Sequence, residues 1–210
     1  MKSKKYLNIA EHYEACLDKY GDTHRGVDWP NEDDMKVRYR VMLDLIQSKE
    51  PLRLLDFGCG TANLLQYIND HDKLYSHINY EGSDISEKFI KVCKDKFPKN
   101  SFYCFDIMED KFPVPYNFDY AILNGVFTEK RELTNDEMWA FFSNVITKIF
   151  NHVDKGIAFN VMSKAVDWER EDLYHLSTDA LIDFLTKSLS RNFVIRNDYG
   201  LYEYTVYLYK

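Results

Sequence analysis

The stretch Leu52-Arg53-Leu54-Leu55-Asp56-Phe57-Gly58-Cys59-Gly60-Thr61-Ala62-Asn63-Leu64-Leu65 decides the fold. The apolar run Leu52, Leu54, Leu55 ends in an acid, Asp56. Two glycines follow, and an apolar pattern at helical spacing then begins. This is a strand, a tight turn and a helix start in one segment. Gly58 and Gly60 supply backbone conformations that side chains resist, and they remove the Cβ that would keep a ligand from the main chain. The free N–H groups at the helix start favour an electron-rich group.

Outward from this turn the chain alternates. Strand patterns fall at 52–57, 78–83, 100–105, 118–124 and 156–162, with helix patterns at 62–71, 86–97 and 134–151 between them. A last helix, 177–190, precedes strands 192–198 and 202–209. Alternation of this kind implies a mainly parallel sheet with helices on both faces. Only Tyr199-Gly200-Leu201 separates the last two strands, which is too short for a crossover, so they form an antiparallel hairpin. Upstream, helices are expected at 5–20 and 33–49, joined by the turn-rich 21–32. The expected organisation is an N-terminal helical extension, 1–50, before a core domain, 51–210. A length of 210 residues suffices for one such domain with a real core.

Composition narrows the function. The net charge of −7 disfavours a nucleic-acid partner, which needs a basic face. Cys16, Cys59, Cys93 and Cys104 form no C-x-x-C pair and no metal spacing, so reduced thiols and no metal site are expected. No stretch is apolar enough to span a bilayer, and no apolar segment follows the lysine-rich start. A cytoplasmic protein without membrane contact is expected.

Four strand ends and the closing hairpin together resemble the class I (Rossmann-like) S-adenosylmethionine-dependent methyltransferases, over roughly residues 35–210. Asp56-Phe-Gly58-Cys-Gly60-Thr-Ala62 matches that family's D-x-G-x-G-x-G except at Ala62, a small-for-small change. Tyr80-Glu-Gly-Ser-Asp84-Ile85-Ser86 ends the second strand. There the family uses an acid for the two ribose hydroxyls, with Ser86 as an expected helix cap. Phe105-Asp106-Ile107 ends the third strand, where the family reads the adenine. Tyr120-Ala-Ile-Leu-Asn124-Gly125-Val-Phe127 ends the fourth and lines the transfer site. The resemblance implies a seven-stranded sheet with an antiparallel C-terminal strand. It implies S-adenosyl-L-methionine as cofactor, S-adenosyl-L-homocysteine as product, and a small-molecule acceptor. It assigns to the cofactor Asp56, Gly58, Cys59, Gly60, Asn63, Leu64, Asp84, Ile85, Asp106, Ile107, Asn124 and Gly125. The two ends of the chain resemble small bacterial members of the family, some of which resemble enzymes of surface-polysaccharide precursors, so such a precursor is an expected class of acceptor.

The motif at the fourth strand lacks the Asn/Asp-Pro-Pro-aromatic sequence of adenine and glutamine N-methyltransferases. By elimination, an oxygen acceptor is expected. Dinucleotide oxidoreductases share the strand-Gly-x-Gly-helix turn, but the third glycine is missing here. A non-catalytic cofactor-binding partner protein would keep the same residues without turnover.

Arg38 shares a helix face with Val41, Met42 and Leu45, and a guanidinium on an apolar face needs an anion. The cofactor carboxylate and Asp56 are the two candidates, which adds Arg38 to the cofactor set. The acceptor residues expected are His24, Arg25, Trp29, Phe127, Tyr174 and His175. His24, Asp28 and His175 are the candidate bases. Glu169, Asp172 and His175, spaced by three, would share one face if helical, and a solvated charged face is the expected reading of them.

Overall fold

The computed structural model describes residues 4–109 and 111–210, and residues 1–3 of the expected extension lie outside that range. One sheet organises the chain. Its strands are β1 (Leu52–Phe57), β2 (Ile78–Asp84), β3 (Ser101–Cys104), β4 (Phe118–Leu123), β5 (Val153–Ser163), β6 (His175–Leu176), β7 (Phe193–Arg196) and β8 (Glu203–Tyr209). The order across the sheet is β3-β2-β1-β4-β5-β8-β7. β3, β2, β1, β4 and β5 run parallel, and β8 enters antiparallel between β5 and β7. The seven expected strands thus form the whole path. The eighth, β6, is two residues long and pairs parallel with the end of β5 at Met162 and Ser163. Its brevity leaves no alternation to read in the sequence.

The helices are α1 (Leu7–Tyr20), α2 (Glu32–Leu43), α3 (Asn63–Asp70), α4 (Asp72–Tyr75), α5 (Glu87–Lys96), α6 (Asn135–Asn151) and α7 (Thr178–Ser188). Local chemistry sets their starts. Asn31 caps α2, Ser86 caps α5 and Ser177 caps α7, each accepting a main-chain N–H of the first turn. Thr134 and Glu137 form a reciprocal capping box on α6. The second expected helix stops at Leu43 rather than 49, because Pro51 and the polar Gln47-Ser48 pull the chain toward β1.

Strand alternation sorts the core into two layers. Leu55, Ala121, Leu123 and Phe159 face α6 and α7, among Phe142, Val145 and Leu181. Leu54, Tyr120, Ile122 and Ala158 face α2, α3 and α5, among Met42, Leu65 and Ile90. Tyr204 and Tyr207 of β8 are sheet packing, while Tyr202, just before the strand, is exposed. Tyr204 lies in the first layer and Tyr207 in the second, and their hydroxyls donate to the carbonyls of Leu176 and Val41. Residues 164–174 are irregular, so Glu169, Asp172 and His175 share no helix face. No helix among the described residues is long and apolar enough to cross a membrane.

Candidate functional site

A cleft opens over the carboxyl ends of β1, β2, β3 and β4, where an open parallel sheet offers its loops. Its floor is the glycine turn. Gly58 and Gly60 have φ of 73° and 53°, the left-handed region that favours glycine. A Cβ on Gly58 would stand 2.7 Å from the Val126 side chain, and one on Gly60 3.0 Å from Val27. Gly125, after β4, has φ 79°, and a Cβ there would meet the Trp29 ring at 2.7 Å. The bare main chain at these three points is therefore required by packing as well as by conformation. Ala62 also sits in the left-handed region, at φ 56°. The small-for-small replacement in the motif keeps the turn that glycine would form, at a cost in local strain.

Three carboxylates stand at successive strand ends. Asp56 is buried and accepts the Tyr80 hydroxyl at 2.7 Å. Burial pushes its carboxyl up to about 7, with the Asp84 charge adding to the rise and the Tyr80 bond opposing it. Asp84 accepts the main-chain N–H of Gly60 at 3.0 Å and of Ser86 at 2.9 Å. Burial lifts it to about 6 against those two amides. Asp106 accepts the Met108 N–H at 2.9 Å and the Tyr6 hydroxyl at 2.7 Å. Asn124 lines the same cleft, and its buried Oδ1 accepts no hydrogen bond from the described residues.

The N-terminal helix crosses over these strand ends. Ile9, Ala10 and Tyr13 line the cleft from α1, together with Tyr6 at its N-cap. The crossing is tied on several sides: Tyr6 to Asp106, Glu14 to the Ser86 hydroxyl at 2.6 Å, Asn8 to Glu132 at 3.0 Å, and Lys88 to Asp18 at 2.8 Å. Trp29, Tyr39 and Phe141 complete an aromatic wall.

Of the residues expected at the cofactor, Asp56, Gly58, Cys59, Gly60, Asn63, Leu64, Asp84, Ile85, Asp106, Ile107, Asn124 and Gly125 all line this one cleft. Arg38 does not. Its guanidinium pairs with Glu203 at 2.9 Å and lies 4.2 Å over the Trp29 ring. Glu203 is 1% exposed and also accepts from Asn160 at 3.0 Å. The anion that the sequence reading sought in Asp56 or a ligand is a glutamate 165 positions away, supplied by β8. The Asn160 amide oxygen in turn accepts the Gly125 N–H at 2.7 Å, so this buried network holds the fourth strand end in place. Burial raises the Glu203 carboxyl despite the facing Arg38.

The expected acceptor residues scatter. Trp29 lines the cleft, but Phe127 is fully buried in the core and Tyr174 is 3% exposed within it. Arg25 is exposed, and His24 turns its Nδ1 to the Trp29 carbonyl at 2.6 Å, positioning that ring from behind. Asp28 accepts from His12 Nε2 at 2.8 Å, while Arg131 holds the other ring nitrogen. None of the three candidate bases His24, Asp28 and His175 lines the cleft. Sequence reading expected the N-terminal extension as a cap but named none of its lining residues Tyr6, Ile9, Ala10, Tyr13 and Tyr39, nor Phe141. Their apolar spacing is indistinguishable from core packing until the helix is placed.

Residues 55–148 match the methyltransferase domain family. The fold is that of the class I S-adenosylmethionine-dependent methyltransferases. Over 171 residues the chain is 25% identical to the protein named "Putative methyltransferase Rv1506c" of Mycobacterium tuberculosis (strain ATCC 25618 / H37Rv), covering 79% of the chain and 98% of the relative. Its fold is similar to that of magnesium protoporphyrin IX methyltransferase (ChlM) from Synechocystis PCC 6803 with bound SAH. The TM-score is 0.65 at 15% identity, over 97% of this chain and 99% of that one. The [4+2]-cyclase SpnF is similar as well, with TM-score 0.61 at 18% identity, over 91% of this chain and 74% of that one. The chain shares its architecture with proteins named for different reactions, so what it does has to be argued from its own cleft.

Proposed function

We propose that the enzyme transfers a methyl group to an oxygen of a small acceptor, and that the acceptor arrives ionised or gives its proton to solvent. The observation that carries this is the composition of the wall. Among the described lining residues there is no histidine, lysine or arginine. The acids belong to the strand ends, and burial holds the Tyr13 phenol protonated far above neutral pH. A wall of this kind positions an acceptor and excludes water; it does not deprotonate a reluctant hydroxyl. A carboxylate or an acidic phenol with an apolar body fits it best. Surface-polysaccharide precursors carry such oxygens among their acidic members, and nothing in the wall selects that class over others.

In this reading the Gly58–Gly60 turn takes the methionine portion against bare main chain. Asp84 accepts the ribose hydroxyls, and Ile107 with Phe105 packs the adenine beside Asp106. Asn124 Oδ1 accepts from the donor's ammonium group. Residues 1–50 serve as a cap on the core domain 51–210. The cofactor supplies an activated methyl carbon, and the protein supplies position. Holding donor and acceptor in line is worth roughly 7–11 kcal/mol of the barrier. The aromatic wall lowers the local dielectric, which favours neutralisation of a sulfonium by an anionic oxygen.

The test is transfer of label from methyl-tritiated S-adenosylmethionine to a panel of carboxylic acids, phenols, alcohols and amines. Labelling of acids or phenols supports the proposal. Labelling of amines alone, or of alcohols with a pH profile requiring an enzymic base, contradicts it. Binding of the cofactor with no labelled product across the panel would favour the non-catalytic reading.

A further inference from the structure

Outside the cleft, three side chains of different donor chemistry converge beside α1. His12 and Cys16 stand four positions apart and share a face of the helix, and Asp28 ends the short 3-10 turn His24–Val27. Asp28 has φ 56°, a conformation that aspartate tolerates better than most side chains. His12 Nε2 lies 2.8 Å from Asp28 Oδ2 and 3.7 Å from Cys16 Sγ, and the three donor atoms all fall within 4.8 Å of one another. None of the three residues lines the cleft. The His12 side chain is 20% exposed and that of Asp28 40%, with Cys16 buried beside them, so the cluster opens to solvent on the His12 and Asp28 side.

The spacing suits a tetrahedral ion. Zinc bonds of about 2.0 Å to nitrogen and oxygen and about 2.3 Å to sulfur set the donor atoms roughly 3.3–3.5 Å apart. Rotations of the Asp28 and Cys16 side chains bring the three donors into that range. Charge points the same way. Asp28, Glu129 and Asp172 gather here, and Arg131 and Arg170 pair with the last two. Burial raises the Glu129 carboxyl, and Asp28 and Asp172 add to the rise against the opposing Arg131. Burial also pushes the Cys16 thiol up, with Asp28 adding to it. Acids that crowd one another beside a thiol call for a cation. One thiol, one imidazole and one carboxylate select zinc over calcium or magnesium, which take oxygen donors.

We propose that His12 Nε2, Cys16 Sγ and the Asp28 carboxylate bind a zinc ion, with water in the fourth position. Arg131 donates to His12 Nδ1, so in the metal-free chain the ring proton sits on Nε2 and goes to Asp28. Zinc takes the Nε2 lone pair, and the ring proton passes to Nδ1. Arg131 then withdraws onto Glu129 and Asp172, which its Nη1 already meets at 3.1 and 3.2 Å. The thiol proton of Cys16 leaves for solvent, one proton for each ion bound. The ion clasps α1 to the turn whose Val27 and Trp29 press on Gly60 and Gly125. Cysteine-to-cysteine spacing, the sequence signal against a metal, says nothing of a set with one thiol. The proposal goes beyond methyl transfer and does not depend on it.

Zinc titration of the full chain, stripped with a chelator and kept reduced with a phosphine, tests it. Calorimetry in buffers of different ionisation heat gives one ion per chain and one proton released per ion. Cobalt in place of zinc shows a thiolate-to-cobalt charge-transfer band. Cys16→Ser abolishes that band and weakens zinc by more than the roughly 10–100-fold expected of a residue that only supports a ligand. Asp28→Asn weakens zinc by roughly tenfold or more. If either variant fails to fold, the cobalt band and the proton count of the wild-type chain decide. No binding of zinc at micromolar concentration overturns the proposal. So does binding without release of a proton, or a charge-transfer band that Cys16→Ser leaves intact, which would put the ion on Cys59, Cys93 or Cys104. A failure here leaves the methyl-transfer reading standing, because cofactor affinity and turnover are read in separate assays.

Discussion

Replacing Glu203 with glutamine tests whether the buried pair with Arg38 holds the cleft together. The carboxylate is 1% exposed, and it receives the Arg38 Nε at 2.9 and 3.0 Å on its two oxygens and the Asn160 amide at 3.0 Å. Glutamine keeps the shape and still accepts from Asn160, so the change isolates the charge. Arg38 has 12% of its side chain exposed and would be left buried without an anion. Breaking a pair in this way costs about 3–5 kcal/mol. For a chain of this size that lowers the midpoint of thermal unfolding by roughly 6 °C or more. The double variant Arg38→Met with Glu203→Gln removes the orphaned charge and should recover most of the loss, because apolar replacement of a buried pair is often neutral. Urea unfolding of the two single variants and the double measures the coupling directly. A Glu203→Gln protein within about 1 kcal/mol of wild type refutes the reasoning, since that is the range of an exposed pair. So does a double variant no more stable than the two losses summed.

Asp84→Ala should weaken S-adenosylhomocysteine binding by roughly one to two powers of ten, the loss of about 1.5–3 kcal/mol in charged hydrogen bonds, and calorimetry reads it. An unchanged affinity would remove Asp84 from the site. The carboxyls of Asp56, at about 7, and Asp84, at about 6, lie above the usual carboxylate range. The folded chain therefore keeps protons that the unfolded chain has released, and this part of the stability is lost as pH rises from the ordinary aspartate value toward 7. Asp56→Asn should accordingly gain stability relative to wild type at pH 8 compared with pH 5; an equal difference at both would show that Asp56 titrates normally. Ala62→Gly should stay within about 1 kcal/mol of wild type in urea unfolding, because relief of left-handed strain, about 1–2 kcal/mol, offsets loss of a buried methyl, about 0.8 kcal/mol. A large loss would mean that the turn depends on the methyl for packing.

The strand ends were legible because a parallel sheet writes them locally. An apolar run, an acid and a turn residue announce each one, and Asp56, Asp84 and Asp106 converge simply because adjacent strands end together. Arg38 was half legible. Its face demanded an anion, but only the insertion of β8 between β5 and β7 brings Glu203 to it, and a pairing across 165 positions leaves no trace in local spacing. His175 was misplaced for a related reason. The irregular segment 164–174 sets its direction, and that segment has no period to read. The aromatic wall went unread because Tyr6, Tyr13 and Phe141 carry the same pattern whether they face a core or a cleft.

The way α1 is moored has a kinetic consequence. Two of its ties are ion pairs of the exposed Lys88, with Asp18 and with Glu14, and these are weak in water and weaker in salt. A helix laid across strand ends by such moorings covers part of the cleft. On the proposed reading of residues 1–50 as a cap, added electrolyte should quicken release of S-adenosylhomocysteine from the cleft.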